Sequence, residues 1–124
     1  MQNLTSIFDQ LKALVIHYTP PLIATFDEPT RYDLYSKKNI FAFGKPRTEV
    51  FFAGVAIKKN FVGFYFMPIY SHPQQFENIP AELKKTLKGK SCFHIKKTSP
   101  ELLQHIQNLL KQGFEVYKQQ QWID

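Results

Sequence analysis

The chain has 124 residues, a hydrophobic content of 44% and a formal net charge of +6. This length supports one core, so we expect a single domain over residues 1–124. Its one cysteine excludes an internal disulfide framework. No apolar run approaches the roughly 20 residues of a membrane span, and residues 1–16 lack the basic start and apolar core of a signal peptide. We therefore expect a cytoplasmic protein with no membrane partner.

The first third of the chain predicts a helix followed by short strands. Apolar residues recur at helical spacing from Leu4 to Tyr18, with Asn3 or Thr5 as the cap and Pro20-Pro21 as the end. The strand candidates are Leu22–Phe26, Arg31–Ser36 and Ile40–Phe43. The polar connection Lys37-Lys38-Asn39 suits a hairpin between the last two.

The stretch Val50–Met67 predicts a central hairpin that is apolar on both faces. Strict alternation places Val50, Phe52, Gly54 and Ala56 on one side of the first strand, and Phe51, Ala53, Val55 and Ile57 on the other. In the second strand Val62, Phe64 and Phe66 oppose Phe61, Gly63, Tyr65 and Met67. Each face must therefore be covered, and helices of the chain itself can cover one of them.

The last part of the chain returns to helices. An irregular connection is expected over Ile69–Pro80, then a short helix with Gly89 as its C-terminal cap, and then a strand over Ser91–Ile95. Ser99 caps a final amphipathic helix that has Pro100 at its first position. The sequence predicts an α+β fold, in which an antiparallel sheet carries the N- and C-terminal helices on one face.

The second apolar face predicts a non-enzymatic binding module. A groove along it would take an unknown small molecule or a protein partner, or the sheet would form a homodimer. The residues expected near the mouth of the groove are Tyr65, Met67, Tyr70 and His72. The sequence indicates no cofactor.

Lysines dominate one segment of the chain, since no acidic residue intervenes between Glu82 and Glu101. This basic rim predicts nonspecific anion binding, although such a surface also serves solubility alone. The residues assigned to it are Lys84, Lys88, Lys90, Lys96 and Lys97.

A third interpretation is weak binding of single-stranded nucleic acid, with bases stacked on exposed rings such as Phe51 and Tyr65. Rings at alternating strand positions usually form the core, so nucleic acid is not the expected partner.

Other site chemistry finds little support. Cys92 and His94 share a strand face, but no further ligand lies at metal-binding spacing, so no metal site is expected. The same segment lacks a nucleophile elbow or an oxyanion loop, and the carboxylates form no evident acid–base pair. We therefore expect no enzymatic activity.

Two segments, Glu49–Tyr70 (EVFFAGVAIKKNFVGFYFMPIY) and Gly89–Lys96 (GKSCFHIK), resemble the YdhG-like family of bacterial proteins, and the likeness continues through Gly113-Phe114-Glu115. The resemblance implies a compact α+β sandwich. Some members are described as frataxin-like iron chaperones, which implies iron binding through surface carboxylates. Here the acidic residues gather only loosely, at Asp27, Glu28 and Asp33. Iron binding is therefore kept as an alternative.

Overall fold

The structure, a computed structural model, describes residues 3–123. The helices are α1 (Leu4–Val15), α2 (Pro68–Ser71), α3 (Ala81–Lys84) and α4 (Pro100–Gln119). The strands are β1 (Ile23–Glu28), β2 (Arg31–Ser36), β3 (Ile40–Ala42), β4 (Lys45–Arg47), β5 (Val50–Ile57), β6 (Val62–Phe66), β7 (Leu87–Lys88) and β8 (Cys92–Ile95). Short 3-10 turns lie at Ile16–Tyr18 and Pro73–Phe76.

Six strands form one antiparallel sheet in the order β1-β2-β5-β6-β8-β7, and β3 pairs with β4 in a separate two-stranded arm. Helices α1 and α4 bury their apolar stripes on one side of the large sheet. The predicted α+β class, with both terminal helices packed against an antiparallel sheet, is confirmed. Within residues 3–123, no helix is long and apolar enough to cross a membrane.

Local sequence signals set the starts of both long helices. The side chain of Asn3, rather than that of Thr5, accepts a 2.7 Å hydrogen bond from the amide of Ser6. Ser99 accepts a bond of 3.1 Å from the amide of Leu102, with Pro100 at the first helical position as predicted. These caps satisfy amides that have no partner inside the helix.

The core lies between the sheet and the helices and is built largely from aromatic rings. Phe52 is its centre, with ring contacts to Tyr18, Phe66, Phe114 and Tyr117 at centroid distances of 5.4–6.3 Å. Burying such a ring contributes about 1.5–3 kcal/mol. Contacts between aromatic rings therefore hold the helices against the strands.

The prediction that side chains alternate strictly along β5 was wrong, because the strand contains a β-bulge. Its partner β2 advances one residue, from Leu34 to Tyr35, while β5 moves two, from Ala53 back to Phe51. An extra residue on one strand moves the following side chains to the opposite face. The core side of β5 is formed by Val50, Phe52, Ala53, Val55 and Ile57. The opposite side is formed by Phe51, Gly54 and Ala56.

Two predicted connections were also wrong. The segment 37–39 does not close a hairpin, since Ser36 pairs with Val50 and Ile40 pairs with Arg47. Gly89 does not cap α3; it adopts a φ of +73° in the turn between β7 and β8. That left-handed conformation suits glycine, which lacks a Cβ atom.

The connection over residues 69–80 is more ordered than the sequence indicated. It contains most of α2 and a 3-10 turn, and its Ile69 and Phe76 are buried. The Phe76 ring meets that of Phe66, a core residue, at 5.4 Å. This connection therefore packs on the helix side and leaves the other face of the sheet uncovered.

Candidate functional site

The second face of the large sheet carries no helix within residues 3–123. All four helices pack against the core side or against one another. A cleft of about 430 Å³ lies on the uncovered face and is called the sheet cleft below. It is lined by Arg31, Asp33, Tyr35, Phe51, Ala56, Lys58, Tyr65 and Met67.

Strand register organises this face into three rows. The first row is Arg31, Ala56, Gly63 and His94. The second row is Phe26, Asp33, Gly54, Tyr65 and Cys92. In the third row Tyr35 pairs with Phe51, and Met67 follows β6, donating its amide to the Phe52 carbonyl at 3.0 Å. The pairing thus brings residues from five strands onto one surface.

Gly54 and Gly63 form the floor of the sheet cleft, because side chains from neighbouring positions pack directly against their backbone. A Cβ atom on Gly54 would lie 2.5 Å from Oδ1 of Asp33 and 3.1 Å from the ring of Phe51. One on Gly63 would lie 2.9 Å from the ring of Tyr65. These contacts leave no room for a larger residue. The rings of Phe51 and Tyr65 are therefore walls held against a backbone floor.

The charges of the cleft are arranged unequally. Arg31 donates from Nε and Nη2 to Oδ2 of Asp33 at 2.9 and 2.7 Å, and the hydrogen bond followed by the negative charge raises the pKa of Arg31. Lys58 lies with its Nζ 5.9 Å from the centre of the Tyr65 ring. Among the described residues, Lys58 forms no ion pair, whereas Asp33 is neutralised by Arg31. The cleft therefore keeps a positive end at Lys58.

Cys92 and His94 extend this face toward β8 but form no reactive pair. Burial raises the pKa of the Cys92 thiol, and a hydrogen bond with Tyr65 and the charge of Lys58 act in the opposite direction. A thiol with a raised pKa is a poor nucleophile at neutral pH. The His94 ring stacks on Phe61 with centroids 3.8 Å apart. Residues 3–123 contain no group of three metal-ligating side chains.

Three of the four predicted groove residues lie along one surface. Tyr65 and Met67 line the sheet cleft, and Tyr70 stacks on Phe43 of the β3–β4 arm at 6.0 Å. His72 lies elsewhere: its ring meets that of Trp122 at 5.3 Å, and its Nε2 is 3.2 Å from Oε1 of Gln120. The structure therefore places Tyr65 and Met67 in the sheet cleft and connects Tyr70 to it through Phe43, whereas His72 packs on Trp122, which contacts Phe43 at 5.9 Å.

A smaller cavity of about 290 Å³ continues the sheet cleft toward the arm. The two cavities share Tyr35, Phe51 and Met67, and the smaller one adds Phe43 and Arg47. Sequence reasoning did not assign Arg31, Tyr35, Phe43 or Arg47 to a site. The alternation of Arg31, Asp33 and Tyr35 along β2 was the available signal for a half-exposed strand.

The predicted anion-binding lysines are divided among three places. Lys88, Lys96 and Lys97 line a cavity of about 660 Å³ beside the β7–β8 edge. Lys90 lies over the Tyr70 ring at 5.7 Å, and Lys84 is exposed on α3. The edge cavity also contains the carboxylates of Glu82 and Glu101, which reduce its positive potential.

The carboxylates considered for iron do not converge. Asp27 pairs with Lys12 of α1 at 3.0 Å, and Asp33 pairs with Arg31 on the uncovered face. Comparisons with family models, curated proteins and solved structures found no match. The resemblance to the YdhG-like family stays a prediction.

Proposed function

We propose that this protein is a non-enzymatic binding module and that its ligand lies in the sheet cleft. The ligand carries a planar apolar or aromatic group, which contacts Phe51, Tyr65 and Met67, and an anionic group near Lys58. The carrying observation is the uncovered face itself, where three half-buried apolar side chains surround a floor of small residues.

The composition of the cleft supports this class of ligand. Binding sites for small molecules combine apolar and aromatic walls with a few placed polar groups. Aromatic rings favour stacking against a planar group, and Lys58 supplies the charge that orients an anion. Since Arg31 and Asp33 neutralise one another, their pair contributes hydrogen-bonding edges rather than net charge.

Binding is better supported than catalysis at this face. The raised pKa of Cys92 disfavours a thiolate, and Asp33 is engaged by Arg31 rather than placed beside a second carboxylate. General acid–base catalysis needs a titratable group near the operating pH and directed at substrate. The cleft presents apolar and aromatic side chains and one cation, Lys58, and this arrangement suits the binding of a ligand rather than catalysis.

Met67 provides a direct test because the chain contains only two methionines. The protein is labelled with ¹³C at the methionine methyl groups and titrated with a panel of aromatic carboxylates and aryl phosphates. We expect the Met67 signal, identified with the Met67→Leu variant, to shift saturably. Lys58→Ala is expected to weaken binding of the anionic compounds, whereas Lys111→Ala, on the exposed side of α4, is not.

Two outcomes would contradict the proposal. One is a Met67 methyl signal that no compound moves. The other is a homodimer, seen by analytical ultracentrifugation, whose dissociation exposes the Met67 methyl to a soluble paramagnetic probe. In that case the second copy, rather than a ligand, covers the face.

A further inference from the structure

We infer that the ligand of the sheet cleft is a single-stranded nucleic acid, which continues from the cleft onto the β3–β4 arm. This inference rests on the proposed function and names its ligand class. It is carried by a repeated pairing of rings with cations along the uncovered face.

Five aromatic rings on this surface each have a cation within 6 Å of the ring centre. Over Phe26 the cation is Arg31, which is already bonded to Asp33, so the four other pairs are the ones that matter here. Lys58 lies over Tyr65 at 5.9 Å and Lys37 over Tyr35 at 5.7 Å. On the arm side, Arg47 lies over Phe43 at 5.0 Å and Lys90 over Tyr70 at 5.7 Å. Each pair thus places a stacking surface beside a positive charge.

The four pairs lie along one connected surface. Tyr65 and Tyr35 line the sheet cleft, Tyr35 and Phe43 line the adjoining cavity, and Phe43 stacks on Tyr70. Phe43 and Tyr70 are 42% and 47% exposed, far more than core rings. From Arg31 to Tyr35 the cleft alone spans about 13 Å along β2. A polymer can therefore contact several pairs at once.

The two carboxylates on this surface do not oppose an anion strongly. Asp33 is bonded by Arg31, and Glu49 is bonded by Lys37. The remaining cations are Lys58, Arg47 and Lys90, which belong to three of the four ring pairs. The surface is therefore positive at three of the four ring pairs, those of Tyr65, Phe43 and Tyr70.

A single strand of nucleic acid matches this pattern better than an acidic peptide or a duplex. Its bases supply planar faces and its phosphates supply regularly spaced charges, and stacking on aromatic rings is tolerant of sequence. An acidic peptide would use the cations but not the rings. In a duplex the bases are stacked inside and cannot reach the rings. The argument that alternating rings belong to the core does not apply to Phe51 and Tyr65, which lie outside it.

Fluorescence anisotropy tests the inference on the full chain. The probe is a fluorescein-labelled oligothymidylate of about 12 nucleotides, a length within the range of single-strand sites. Unlabelled competitors are thymidine monophosphate, the same oligomer, a 12-base-pair duplex and polyglutamate of equal charge. We expect the oligomer to compete on the order of tenfold better than any of the other three.

Matched variants separate stacking from charge. Phe43→Leu and Tyr70→Leu are expected to weaken binding about fivefold or more, because each removes one stacking ring. Phe114→Leu, a half-buried ring on the helix side, should leave affinity unchanged. Lys58→Ala should lower the slope of log affinity against log salt by about 0.7, and Lys111→Ala should not. Circular dichroism checks that each variant is folded.

The outcomes distinguish this inference from the proposed function. If the monophosphate shifts the Met67 methyl signal and the oligomer binds no tighter, the cleft binds a small anion and the inference is overturned. If polyglutamate competes as well as the oligomer, charge alone acts and the inference is again overturned. If neither nucleotide nor oligomer binds but another aromatic anion does, only the nucleic-acid assignment fails.

Discussion

The hydroxyl of Tyr117 on α4 donates a 2.7 Å hydrogen bond to the backbone carbonyl oxygen of Phe51, at the bulge of β5. Tyr117 is fully buried and its ring meets that of Phe52 at 5.4 Å. The helix therefore contacts the bulge through both a ring and a hydroxyl. A residue 66 positions away in the chain thus supports the backbone that directs Phe51 into the sheet cleft.

Replacing Tyr117 with Phe should destabilise the protein by about 1–3 kcal/mol, because a partly buried carbonyl loses its donor while the ring packing is kept. Urea denaturation followed by circular dichroism measures the change. Tyr70→Phe is the control, since Tyr70 is half exposed, and it should change stability by less than about 0.5 kcal/mol. An unchanged midpoint for Tyr117→Phe would contradict the role of this bond.

Stability should fall in alkaline solution because of the same tyrosine. Burial raises the pKa of Tyr117 well above its ordinary value of 10.0. Its contribution is fully present below pH 10 and is lost as pH rises toward the folded-state value, because the unfolded chain releases the proton first. Above pH 10 the loss is about 1.4 kcal/mol per pH unit.

Denaturation midpoints at several pH values between about 9 and 11.5, a range that brackets the ordinary pKa of tyrosine, test this dependence. Tyr117→Phe should show a shallower decline than the natural chain, although burial also raises the pKa values of Tyr18 and Tyr32. Equal slopes for the two proteins would show that Tyr117 does not carry the effect.

At Gly113, replacement by alanine should lower stability, although helix propensity alone would predict a gain. Alanine in a helix interior is more favourable than glycine by about 1 kcal/mol. At Gly113 of α4, however, a Cβ atom would lie 2.9 Å from Cγ of Pro68 and closer still to the Phe66 ring. Overpacking of this kind costs about 1–3 kcal/mol.

We therefore expect Gly113→Ala to lower the thermal midpoint. Gln107→Ala, at an exposed position of the same helix, should leave it nearly unchanged. A raised midpoint for Gly113→Ala would mean that α2 moves away from α4 at little cost.

Cys92 should react slowly with iodoacetamide at neutral pH. Its pKa is raised above the ordinary 9.0, chiefly by burial, so the reactive thiolate is scarce. The rate, followed by mass spectrometry, should still be rising at pH 9. A ligand in the sheet cleft should slow it further, since Cys92 pairs with Tyr65 in the strand register. A plateau near pH 7 would contradict the raised pKa.

Local signals sufficed for α1, α3 and α4 and for most strands, whereas α2 lies in a segment that was expected to be irregular. The caps at Asn3 and Ser99 and the apolar stripe of α4 follow from interactions within a few residues, so the sequence displays them directly. Strand β2 was predicted with its observed bounds, Arg31–Ser36. The pairing of Ser36 with Val50 could not be read locally, because it depends on the β3–β4 arm leaving the sheet.

The site was predicted less completely than the fold. Tyr65 and Met67 follow from alternation in β6, which is regular. Alternation fails in β5 because of the bulge. The sequence pattern therefore does not show that Phe51 pairs with Tyr35 on the uncovered face. Phe43 and Tyr70 come together only through tertiary packing, which no spacing rule in the sequence reports.

The bulge in β5 divides the strand into two segments with independent registers. Deleting the residue between Phe51 and Ala53 would restore simple alternation along β5. Either Phe51 would then turn toward the core, or Val55 would turn toward the uncovered face. Phenylalanine would then enter the packed interior, or valine would enter the uncovered side of the sheet. Strand β5 should therefore accept changes in side-chain size far more readily than changes in its length.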